Sequence, residues 1–214
     1  MTTITDNLGF LAEGLATTIL LAVLGFAGAL LLGTLLGAAR VGDLRSLRTV
    51  AAIYVATVRN TPLLLLLIVI VFVLPSLDLM LELGPSLVLG LSLYFASYVC
   101  EIIRSGVATV GRGQLEAALS LGIPYRVAIM HVIAPQAFRV IVQPLGTLAM
   151  IVTMATSIGS IVGVRELAGT VRLLNGQYAD ATLLFGLAAI LYLALALLIA
   201  RLTKILENRT RMTR

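Results

Sequence analysis

The sequence predicts an all-α integral membrane protein with five spanning helices, its N-terminus outside and its C-terminus in the cytoplasm. Three observations lead there. The 214 residues are 60% apolar, only 12% charged and free of tryptophan, with a mean hydropathy of +1.09. A soluble domain is about 45–50% apolar and about 25% charged, so the excess apolar surface has to face lipid. That excludes a disordered chain, a disulfide scaffold and a soluble enzyme with a polar shell. The second observation is the set of charge-free runs, and the third is the uneven placement of lysine and arginine.

A spanning helix needs about 20 mostly apolar residues. Four charge-free runs are near or above that length, Gly14 to Ala39, Leu83 to Cys100, Val140 to Val164 and Ala181 to Ala200, and a fifth from Thr49 to Leu77 is interrupted only by Arg59. The predicted spans therefore cover residues 14–39, 49–75, 83–106, 133–164 and 181–204, in one membrane domain, 1–214, without repeat or linker. The first run is too long for a signal peptide and lacks preceding basic residues, so it is expected to stay in the mature protein. It carries Gly25, Ala29, Gly33 and Gly37 at intervals of four, a face on which another helix can approach closely. In the second run Arg59 lies ten residues from the start, about 15 Å along a helix. It is either embedded or a cytoplasmic anchor. At the end of the third, Glu101 and Arg104 share a helix face, and a structural pair at the inner mouth is favoured over contact with a solute.

Basic residues accumulate on the cytoplasmic side of membrane proteins. The N-terminus, the segment around Pro75 to Pro85 and the segment Arg165 to Asp180 hold two basic residues against six acidic ones. The alternate set, Arg40 to Arg59, Glu101 to Arg139 and the tail from Arg201, holds thirteen basic against four acidic. The formal charge of +5 is thus a topology signal rather than a nucleic-acid footprint. Arg209, Arg211 and Arg214 in the tail read as solvated anchors near lipid headgroups, worth about 1 kcal/mol each.

Chemistry-bearing clusters are missing. One histidine, His131, and one cysteine, Cys100, make no metal site and no intrachain disulfide. They read as a hydrogen-bonding and a packing residue. Gly111-Arg112-Gly113 lacks the Lys-Ser/Thr of a phosphate loop. The chain is expected to be no enzyme and to bind no cofactor, so any ATP would be used by a partner. Residues 111–130 form the longest polar cytoplasmic stretch. A helix is expected after Gly113, with Glu116 in its first turn, a slim face at Ala117 and Ala118, a stop at Gly122, and Pro124 opening the next helix. It either docks into a partner's cleft or is a plain interfacial connector.

Gly113-Gln-Leu-Glu116-Ala117-Ala118-Leu-Ser-Leu-Gly122 resembles the EAA loop of ATP-binding-cassette (ABC) importer permeases. Tyr54 to Leu64, containing Arg59-Asn60-Thr61-Pro62, resembles the polar amino acid branch of that family, with Asn60 where glycine is usual. Tyr98 to Gly106, Ala134 to Arg139 with Pro144, and Ser157 to Leu167 resemble the same branch, in order, so the likeness runs from about Glu13 to Glu207. It implies the type I importer permease fold. The implied partners are two ATPase subunits, a second permease, an external substrate-binding protein, an amino acid substrate and membrane lipid, in a prokaryotic inner membrane. A polar amino acid such as glutamate is the implied substrate class. Gly113, Glu116, Ala117, Ala118 and Gly122 would contact the ATPase. Arg59, Thr61, Pro62, Tyr98, Glu101, Arg104, Thr153, Thr156, Ser157 and Glu166 would line or gate the pathway. Relatives commonly carry Lys-Asp-Thr-Ser where this chain has Met154-Ala155-Thr156-Ser157. The pore is therefore expected to be a heterodimer whose other permease supplies the charged substrate contacts. A stand-alone channel or ion-coupled carrier, and a scaffold without a pore, are the alternatives. A carrier would show acidic groups at the midplane, and none lies between Val140 and Val164 or within the first span.

Overall fold

The computed structural model describes residues 5–210, and among these there is helix and turn but no strand. Helix α1 spans Leu8–Val41, α2 Arg45–Arg59 and α3 Leu63–Ile68, the last continued by a π turn at Val69–Val73 and a 3-10 turn at Leu74–Leu77. Helix α4 spans Leu83–Thr109, α5 Arg112–Ser120 and α6 Tyr125–Ala128. A π turn at Ile129–Ile133 joins α6 to α7, Ala134–Ala155, which tightens into a 3-10 turn at Thr156–Val162. Helix α8 spans Leu167–Tyr178 and α9 Ala181–Thr210. Four continuous helical runs are long and apolar enough to cross a membrane: Leu8–Val41, Leu83–Thr109, Tyr125–Val162 and Ala181–Arg209.

The second span differs from the straight helix expected over residues 49–75. Arg45–Arg59 and Leu63–Leu77 meet at an angle of 99°. The break follows from local chemistry. Pro62 has no N–H to continue the helical ladder and disfavours helical geometry at the residue before it. Pro62 itself is extended, at φ −61° and ψ 134°, and the chain turns there.

Packing shows that the broken pair still carries the chain across. Gly25 lies against Leu91, Gly33 against Val99 and Gly37 against Ile103. The two series rise together, so α1 and α4 run parallel. Residues between them must return from the inner end of α1 to the outer end of α4, and α2 and α3 are the only helices available among the described residues. Gly106 against Ile141 and Gly159 against Leu87 make α7 antiparallel to α4. The small-residue face of α1 is what admits α4: Gly25, Ala29, Gly33 and Gly37 are all buried.

Helix α4 is the centre of the molecule. Leu87, Leu91, Phe95 and Val99 form one core with Leu67 of α3 and Leu148 and Val152 of α7. A second, outer cluster joins Leu11, Leu167, Val171, Leu174 and Leu184, packing α8 against α1 and α9. Outward faces stay apolar, as with Ile190, Leu193, Leu197 and Leu198 on α9. Such a face is stable in lipid and costly in water.

Candidate functional site

The helix break sets Arg59 against the inner half of α4. Its guanidinium carbon lies 4.9 Å from the centroid of the Tyr98 ring, a cation–π placement. One turn further along α4, Glu101 bridges two arginines. Arg40 Nη2 donates to its Oε1 at 3.1 Å, and Arg104 donates to its Oε2 from Nε at 3.0 Å and Nη2 at 2.8 Å. The pairing of Glu101 with Arg104 matches the sequence reading. Arg40, at the end of α1, is a third member the sequence did not single out; its signal was a lone basic residue closing an apolar run.

Two clefts open beside this cluster. One, of about 350 Å³, is lined by Arg59, Tyr98, Glu101, Arg104 and residues of α7 including Ile141 and Pro144. The other, of about 460 Å³, is lined by Arg40, Val55, Arg59, Asn60, Tyr98 and Glu101. They share Arg59, Tyr98 and Glu101. Thr61 is partly buried and donates its hydroxyl to the Thr57 carbonyl, and Pro62 precedes the first turn of α3.

The expected pathway residues of α7 and the 3-10 turn that follows it bond locally. Thr153 donates to Ala149 O, Thr156 to Thr153 O and Ser157 to Met154 O, at 2.7–2.9 Å. Each hydroxyl donates its proton to the backbone of its own helical run. Glu166 departs further from the expectation, because it is 0% exposed and lines no cleft near Arg59. It caps α8, accepting from the Ala168 and Gly169 amides at 2.9 and 2.8 Å. Tyr192 of α9 donates to it at 2.5 Å and Thr18 of α1 at 3.4 Å. Thr18 also accepts the Leu167 amide. Three helices, α1, α8 and α9, are tied at one carboxylate, and neither Thr18 nor Tyr192 was legible as a partner in the sequence.

On the cytoplasmic side, α5 begins at Arg112, so Glu116 sits in mid-helix rather than in the first turn as expected. The stop at Gly122 is a Schellman turn. Gly122 has φ +76°, its amide donates to Leu119 O, and the Ile123 amide donates to Ala118 O. Pro124 stands just before α6 rather than inside its first turn. Gly113, Glu116, Ala117 and Gly122 are exposed, whereas Ala118 is 5% exposed and packs inward. Ala118 therefore supports the turn from inside. Leu121, 81% exposed, caps the turn as an apolar knob.

Comparison with known proteins places this geometry. The family described as binding-protein-dependent transport system inner membrane component matches residues 29–212. The probable glutamine ABC transporter permease protein GlnP of Bacillus subtilis is 30% identical over 207 residues, 95% of each chain. The L-cystine transport system permease protein TcyB of the same organism is 32% identical, over 93% of this chain and 86% of that one. The glutamate transport system permease protein GluC of Corynebacterium efficiens is 39% identical over 78% of each. Among solved structures, an amino acid ABC transporter crystallised with histidines superposes with a TM-score of 0.91 at 27% identity, covering 96% of both chains.

Proposed function

Because this chain belongs to the family of binding-protein-dependent transport system inner membrane components, we propose that it forms half of the translocation pathway of an ATP-driven amino acid importer. It is a multi-pass cell-membrane permease of the polar amino acid ABC importers, a family whose members work with ATPase subunits and a substrate-binding protein. The permease itself is the transport component; hydrolysis belongs to its partners. The substrate class we assign is a polar amino acid of the glutamate and glutamine type, supported by relatives named for glutamate and glutamine transport.

One observation carries the coupling role. An exposed slim helix, α5, closed by a Schellman turn at Gly122, follows α4 and leads through α6 and the π turn at Ile129–Ile133 into α7, and α4 and α7 both line the cleft at Arg59. A partner that pushes on Glu116, Ala117 and Leu121 would move both walls of that cleft. ATPase closure would drive the pore between inward- and outward-open states, provided the ATPase binds the two states with different affinity.

The second permease is proposed to be a different chain. Among the described residues Glu101 is the only acid lining the two clefts, and it is committed to Arg40 and Arg104, so an acid for a substrate ammonium group would come from elsewhere. The test is reconstitution of this chain with its ATPase, second permease and binding protein in liposomes. Amino-acid-stimulated hydrolysis and uptake are expected, and Gly122→Val, which the left-handed backbone at this position cannot accommodate without strain, should abolish most of both with membrane insertion preserved. ATP-independent flux indifferent to Gly122 would overturn the importer reading in favour of a channel or carrier. Absence of flux in every assembly would favour a scaffold.

A further inference from the structure

Helices α1, α7 and α9 enclose an open groove of about 280 Å³ that shares no residue with the clefts at Arg59. Its walls include Phe26 of α1, Phe138, Val142 and Ala149 of α7, and Ile199 and Leu206 of α9, and no charged residue lines it. A side chain at Gly146 would collide with Thr203, so α7 and α9 meet there without a gap. Thr203 is the only polar side chain in the lining, and its hydroxyl donates to the Ile199 carbonyl at 2.8 Å. Helix α7 rises from the cytoplasmic side and α9 descends to it, so Phe138 and Leu206 mark the inner end, and Ala149 and Ile199 the end near the midplane. From Phe138 to Ala149 is about 16 Å along a helix, roughly half of the ~30 Å hydrocarbon core and thus the depth of one leaflet. Two cations continue the lining stripes at the inner end. Arg139 shares the α7 face of Val142 and Gly146, and Arg209 shares the α9 face of Leu206 and Leu202. Both arginines are exposed, and among the described residues neither forms an ion pair. Glu207, the acid nearest to Arg209 in sequence, lines a separate cleft with Gln143 and Lys204.

We propose that this groove is a binding site for an inner-leaflet anionic phospholipid, one acyl chain lying between the three helices and the headgroup phosphate held by Arg139 and Arg209. The apolar lining excludes a polar solute, which would lose its hydrogen bonds to water and find no replacement. The groove is one hydrocarbon chain wide over its length, far narrower than a partner helix, which is about 10–12 Å across. Charge selects among lipids. Basic residues between spans on the cytoplasmic side attract anionic headgroups, and a guanidinium fork matches phosphate oxygens with parallel N–H···O bonds. Arg209, read from the sequence as a solvated anchor, thus closes one end of a defined site. The proposal rests on the membrane topology alone and is independent of which solute the transporter carries.

The test uses the assembled transporter, with both permeases and the ATPases, in phosphatidylcholine bilayers containing graded phosphatidylglycerol, one lipid or the other brominated on its acyl chains. The chain has no tryptophan, so Phe138→Trp in the groove and Leu193→Trp on the outward face of α9 each add one fluorescent reporter, read against the unsubstituted complex. Quenching of the Phe138→Trp reporter should show phosphatidylglycerol preferred by about fivefold to thirtyfold, the range for one or two arginines near the surface. The Leu193→Trp reporter should show no preference. Arg139→Gln together with Arg209→Gln should remove the preference at Phe138→Trp. Ala149→Phe, which fills the midplane end, should weaken quenching there by both lipids. If Ala149→Phe does not assemble, the two exposed arginines carry the test. Equal quenching by the two lipids at both reporters would overturn the proposal, as would a preference that survives loss of both arginines. Unchanged quenching in Ala149→Phe would place the lipid outside the groove and overturn it too. A Phe138→Trp signal that neither lipid quenches would give the groove to protein, the second permease, and refute the lipid site.

Discussion

Glu166 illustrates how a charged residue can be found in a sequence and misassigned. An acid after a long apolar run is a functional candidate by default, and nothing in its neighbours reveals that Thr18, 148 positions away, and Tyr192 will meet it. Its role is to close the outer end by capping α8 and joining it to α1 and α9. Glu166→Ala removes the cap, about 1 kcal/mol, and orphans the Tyr192 hydroxyl, about 1–3 kcal/mol more. The expected destabilisation of about 2–4 kcal/mol can be read at Cys100, the only cysteine, which is fully buried. Its modification by a thiol-reactive dye on heating, followed by mass, should occur at a clearly lower temperature in the variant. An unchanged midpoint would show that the carboxylate bears no load. Arg59 is the opposite case. It was visible as the one charge in an apolar run, but whether it was embedded or anchoring depended on the bend that sets it on Tyr98.

Among the elements, α1 and α4 depend on contact between backbones rather than on large side chains. A Cβ at Gly33 would lie 2.7 Å from the Ala96 carbonyl oxygen, a backbone atom that cannot swing aside. Gly33→Ala is therefore expected to cost about 1–3 kcal/mol by overpacking. Gly186→Ala on α9, where a Cβ meets nothing within 4 Å, should be neutral or stabilising by up to about 1 kcal/mol. The Cys100 dye assay separates the two, and equal effects would mean that the small-residue face does not set the approach. At the cytoplasmic turn, the positive φ of Gly122 makes the residue replaceable by Asn more readily than by Val, since Asn tolerates the left-handed region. Gly122→Asn should keep most of the coupled ATP hydrolysis and Gly122→Val should lose most of it. The reverse order would exclude turn geometry as the reason Gly122 matters. The glycine stripe and the helix–turn at Gly122 were legible because spacing alone places them. The 99° break was hidden behind uniform hydropathy, although Asn60-Thr61-Pro62 marked its position.

For the whole molecule, parallel α1 and α4 require an odd number of crossings between them, which the broken pair supplies, and the basic residues set the direction. A cysteine placed at Ser76, in the turn after α3, should react with an impermeant thiol reagent added outside intact cells. One placed at Ser120, at the end of α5, should react only after the membrane is opened. With Cys100 replaced by alanine in both, the reversed pattern would invert the orientation.

The sequence by itself determined the membrane class, the apolar runs, the sidedness of the basic residues and the family to which the motifs point. All of these depend on composition and short-range spacing, which a linear chain displays directly. Only the tertiary structure decided that the second crossing is broken, that Glu101 serves two arginines from different helices, that Glu166 is enclosed, and that Ala118 faces inward. Those outcomes depend on contacts between residues as far apart as Thr18 and Glu166. The energy of such contacts comes from pairing and close packing in an apolar medium, and no local pattern records which partner will be found.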